Sequence, residues 1–92
     1  MKDSLLKIIN YHGINKQLSE LSEQTFQLQE AILLDVGDIE CYNDITEKLA
    51  NVYVTLSQFE EYFEVDQNQL IEAESNKIRK DLQEIENEKV NK

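Results

Sequence analysis

Apolar residues recur along this chain in steps of three and four, the period of helices that bury one face. Leu5, Ile8, Ile9 and His12 define a first short helix over residues 4–12, and Gly13 is a good stop for it. Asn15 is then placed to cap a second helix, whose stripe is Leu18, Leu21, Thr25, Leu28 and Ile32. Asp35-Val36-Gly37-Asp38 reads as a turn. A third helix carries Ile45, Leu49, Val52, Leu56, Phe59 and Phe63, although Val52 to Thr55 taken alone is strand-prone. Val65-Asp66 interrupts this pattern, and Asp66 with Gln69 three residues on resembles a capping box. The fourth helix carries Leu70 or Ile71, then Ile78, Leu82 and Ile85, and its polar end from Glu86 is expected to fray.

These elements predict an all-α fold, a small four-helix bundle forming one domain over residues 1–92. Within it, 1–14 form the short N-terminal helix and turn, and 86–92 form the polar tail. Proline is absent and glycine occurs only at positions 13 and 37, which favours long helices over a sheet. With 92 residues and 40% apolar content the core must be thin, and thin helical cores are often completed by a partner copy.

Charge changes the picture more than composition does. The formal net charge is −10, and residues 17–66 hold twelve acids against one base, Lys48. Such a surface repels nucleic-acid phosphate, so direct DNA or RNA binding is not expected. A solvated surface is the commoner meaning of a charge excess. Asp35, Asp38, Glu40, Glu60, Glu61 and Glu64 also form a candidate acidic interaction face, and a minority reading makes them a mimic of nucleic-acid phosphates. Tyr42, Tyr53, Tyr62 and Phe63 lie among these acids as candidate anchors, or simply as core or dimer contacts. The lone Cys41 allows no internal disulfide, and no signal-like or membrane-spanning apolar run is present, so a cytoplasmic location is expected.

Tyr11-His12-Gly13-Ile14 and Gln17-Leu18 lead into the long helix, where Glu23-Gln24-Thr25-Phe26-Gln27-Leu28 is followed by Ala31-Ile32. Later come Glu47-Lys48-Leu49-Ala50-Asn51-Val52 and a looser Lys77-Ile78-Arg79-Lys80. The order of these short strings resembles the MazG-like, all-helical NTP pyrophosphohydrolases. The match spans roughly residues 5–85. In that family two acidic motifs bind Mg²⁺, which neutralises triphosphate charge and activates water. The corresponding positions here are Glu23, Gln24, Gln27, Lys48 and Asn51, of which only Glu23 keeps a carboxylate.

The resemblance therefore implies a protein without catalytic residues, metal or cofactor, retained for binding. It implies a homodimer or tetramer with a protein partner, and phage-encoded modulation or inhibition of a host protein fits the family's context. The alternative is a nucleotide-binding or weakly active pyrophosphohydrolase, with Lys77, Arg79 and Lys80 meeting phosphates. The same five positions also fit solvated faces of an unrelated bundle, with Glu23 and Lys48 as an ordinary ion pair.

Overall fold

The computed structural model describes residues 2–35 and 42–90. Four α-helices follow one another: α1 Lys2–His12, α2 Ile14–Asp35, α3 Tyr42–Tyr62 and α4 Gln67–Val90. Among the described residues there is no strand, and no helix is long and apolar enough to cross a membrane. The strand-prone Val52 to Thr55 stretch is helical because its neighbours carry the helical period in both directions. The expected turn lies mostly outside the described residues, as do Asp38, Glu40 and Cys41.

Gly13 ends α1 as its composition predicts. It adopts φ +88°, and its N–H donates to the Ile9 carbonyl at 2.8 Å, the single bond of an αL cap. The same residue then starts α2, because its carbonyl accepts from the Gln17 N–H at 3.1 Å. Asn15 is therefore not the cap that its side chain suggests. Helical backbone already begins at Ile14, and Asn15 lies exposed inside the first turn.

The corner between α3 and α4 is built differently. Val65 N–H donates to Glu60 C=O at 2.9 Å and Glu64 N–H to Glu61 C=O at 3.3 Å, with Glu64 at φ +53°. This is a Schellman motif with glutamate where glycine is usual. Asp66 then caps α4, its Oδ1 accepting from the Gln69 N–H at 3.0 Å. Two hydrogen-bonded caps thus leave little slack between the helices. The end of α4 expected to fray is helical through Val90.

Packing is confined to three helices. α2 and α3 share the most extensive interface, and α1 lies across both. Among the described residues α4 packs against none of them, and the molecule measures 53 × 37 × 21 Å. The buried side chains are Ile9, Ala31 and Val52 together with three polar ones, Gln17, Thr55 and Gln58.

The apolar stripes were expected to be the faces where helices meet, and here the structure differs. Leu18 and Ile32 on α2, and Leu49, Leu56 and Phe63 on α3, are exposed, while Leu21, Thr25, Leu28, Ile45 and Phe59 are half-buried. Of the buried residues of α2 and α3, Gln17, Ala31, Val52, Thr55 and Gln58, only Val52 belongs to an expected stripe. The periodicity was a correct guide to helix and found the buried side in part, because amides share the interface with the apolar residues.

Candidate functional site

α1, α2 and α3 enclose a cleft of about 390 Å³. Its α2 wall presents Lys16, Gln17, Glu20 and Gln24, in steps that keep them on one helical face. The α3 wall presents Asn51, Thr55 and Gln58, again four and three apart, and α1 contributes Ile8 and His12. The Gln17 side-chain amide donates to the Gln58 carbonyl at 2.7 Å, a buried bond between residues 41 apart in sequence. The Thr55 hydroxyl donates to the Gln24 carbonyl at 2.7 Å, with the Asn51 backbone carbonyl at 3.2 Å as a second acceptor. Gln24 in turn offers its amide to Glu20 at 3.5 Å, at the limit of a useful bond. Among the described residues no buried side-chain polar atom is left without a partner.

Of the five positions drawn from the resemblance, Gln24 and Asn51 share this cleft. Glu23 is exposed and does not line it, and Gln27 and Lys48 are half-buried outside its lining. Glu47, four residues before Asn51, is exposed and does not line the cleft. Lys16, Glu20, Thr55 and Gln58 were not singled out as site residues from the sequence, and His12 and Gln17 entered only through the α1 stripe and the strings of the resemblance. Lys16, Gln17, Glu20, Thr55 and Gln58 each continue the helical face of Gln24 or Asn51 at steps of three or four, whereas His12 stands on α1 and carries no such signal.

A magnesium ion needs several hard oxygen ligands, usually including carboxylates. The cleft offers one carboxylate, Glu20, together with the Lys16 ammonium, and its remaining polar groups are amides, a hydroxyl and the His12 imidazole. That set does not fit the ion. Among the described residues no three His, Cys, Asp or Glu side chains stand together as a metal site would require.

The basic set on α4 is not gathered at the cleft. Lys77 Nζ donates to Asp81 Oδ1 at 2.7 Å, and Arg79 donates to Asn76 at 3.2 Å. Hydrogen bonding to Asp81, and then its negative charge, raise the Lys77 pKa above the usual 10.5.

The acidic face divides. Glu60 and Glu61 are half-buried and Glu64 is exposed, around a hollow they share with Lys2, Leu6 and Asn10. Lys2 approaches Glu61 at 3.9 Å. The side chain of Asp35, like Asp38 and Glu40, lies outside the described residues.

α2 and α3 also line a second groove, about 320 Å³, formed by Ile14, Leu18, Leu21, Leu56, Phe59 and Phe63. Its lining exposes no polar surface. Phe59 and Phe63 stack along its floor with ring centroids 6.4 Å apart, and Tyr62 meets Phe63 edge-on at 5.1 Å.

No family model, curated protein or solved structure matches this chain. Function has to be argued from the two grooves and from the helix that packs on nothing.

Proposed function

We propose that this chain is a non-catalytic helical module that works by protein–protein association, in keeping with a regulatory or inhibitory role. One observation carries the reading: Leu18 and Ile32 on α2, Leu49, Leu56 and Phe63 on α3, and Ile71, Ile78, Leu82 and Ile85 on α4 are exposed, while Gln17 and Gln58 are buried. Contiguous apolar surface of this kind on a small chain marks an interaction face. On this reading the polar cleft is the relic of a MazG-like phosphate site, with Gln24 and Asn51 standing where carboxylates would be. The cleft's donor set supports loss of metal chemistry, and its internally satisfied amides support a structural use of what remains.

The test has two arms on the full-length protein. Incubation with dNTPs and Mg²⁺ is followed for pyrophosphate release, with no turnover above the blank expected. Host lysate is then passed over the wild-type chain and over a Leu18→Asp/Leu56→Asp variant. A specific partner retained by the first and lost from the second is the expected result. Metal-dependent turnover, or capture indifferent to the groove, refutes the proposal.

A second reading rests on the size and lining of the cleft. Its volume is within the range of small-molecule sites, and Lys16 and His12 stand at it beside several amides. A metal-free nucleotide sensor follows from that chemistry. Calorimetry decides: micromolar dNTP binding that Lys16→Ala abolishes establishes it, and no heat of binding removes it.

A further inference from the structure

The apolar surface is arranged as a groove and a ridge on the same chain. The groove lies between α2 and α3, and its apolar character continues beyond the lining residues through Leu28 and Ile32 on α2 and Leu49 on α3. The ridge is α4, where Ile71, Ile78, Leu82 and Ile85 are 58%, 60%, 59% and 49% exposed. Fourteen positions separate Leu18 from Ile32, Leu49 from Phe63, and Ile71 from Ile85, so each stripe runs about 21 Å at helical rise. Ridge and groove match in length.

They do not meet within one molecule. The Schellman motif at Glu64 and the Asp66 cap leave a short Val65-Asp66 corner, from which α4 runs clear of the other helices. Laying α4 over its own groove requires re-bending that corner, which a second molecule does not.

Charge favours the same occupant. The body carries nearly all the acid excess, with Glu60 one turn from both Leu56 and Phe63 at the groove. On α4, Lys77 and Arg79 flank Ile78, while Glu72, Asp81, Glu84 and Glu86 adjoin Ile71, Leu82 and Ile85. With six acids against five bases in residues 67–92, a nearly neutral α4 suits a groove on an acidic body better than another copy of that body's acids does.

We infer that a second copy of this chain covers the α2–α3 groove with its own α4, each molecule giving its fourth helix to the other. The inference rests on the association reading above and names its first partner. Such an exchange is two-fold and self-complementary, and it removes both exposed apolar faces at once.

Light scattering of the full-length protein tests it, alongside an Ile78→Asp/Leu82→Asp variant and the Leu18→Asp/Leu56→Asp variant. The expected wild-type mass is that of two chains, halved in both variants. A cross-linking arm uses near-neutral changes: Cys41→Ser chains carrying Leu18→Cys are mixed with Cys41→Ser chains carrying Leu82→Cys, and a short bis-maleimide is added. A linked pair of unlike chains is expected.

A monomeric wild type overturns the exchange and leaves the association reading standing. A dimer that survives the groove changes but not the α4 changes means that α4 pairs with α4, which also overturns it. Pyrophosphate release from an intact dimer does the reverse, sinking the association reading and sparing the exchange.

Discussion

The Gln17–Gln58 bond is the contact most open to quantitative test, because both side chains are almost fully buried, at 5% and 3% exposure. Replacing Gln17 by Met keeps length and approximate volume but leaves the Gln58 carbonyl without its donor. A buried polar group stripped of its partner costs about 1–3 kcal/mol. Gln58→Met strips Gln17 in the same way. The double change removes both polar partners and leaves apolar groups of similar shape, which is nearly neutral or stabilising.

The double variant should therefore fall well short of the sum of the single ones. Urea unfolding at one fixed protein concentration reads this directly. With a slope of about 1–2 kcal/mol/M for a small domain, each single change should lower the midpoint by about 0.5–3 M. The double should return close to wild type. Single changes that move the midpoint by less than about 0.3 M, or a double equal to the sum of the two, would show that the amides do not depend on each other, and the account of the interior would be wrong.

Three further outcomes follow from the caps and from α4. Glu64→Gly should stabilise the α3–α4 corner by about 1 kcal/mol, since φ +53° suits glycine and strains glutamate; a lower unfolding midpoint contradicts this. Asp66→Ala should cost α4 about 1 kcal/mol through loss of its N-cap, seen as faster amide exchange in α4 with α1–α3 unchanged. Lys77 should titrate above an ordinary lysine in an NMR pH series, and Asp81→Asn should bring it back down. The Lys77 pKa is raised, so its favourable pairing is full at neutral pH and fades only as the amine deprotonates in strong alkali.

Much of the secondary structure was legible because its signals are local. Gly13 as a stop, Asp66 as a cap and the three-and-four stripes each act within one or two turns. The second cap was misassigned because Asn15 has the right side chain, yet Gly13 already supplies the carbonyl that begins α2. The buried face was legible only in part, since it depends on a bond between Gln17 and Gln58 and another between Gln24 and Thr55, pairs 41 and 31 positions apart. Polar residues at such positions read as solvent-facing until their partners are known. For the same reason Gln24 and Asn51 were identified as neighbours while the polar residues Gln17, Thr55 and Gln58 beside them were not.

Because α4 joins the rest of the chain at a single corner and gains no support from it, one molecule contains two units that can melt independently. Most helical stability in proteins comes from tertiary packing of an apolar face, which α4 lacks within one molecule. At high dilution α4 should therefore unwind well before α1–α3 lose their shape, giving two thermal steps. Raising the concentration should draw the first step toward the second.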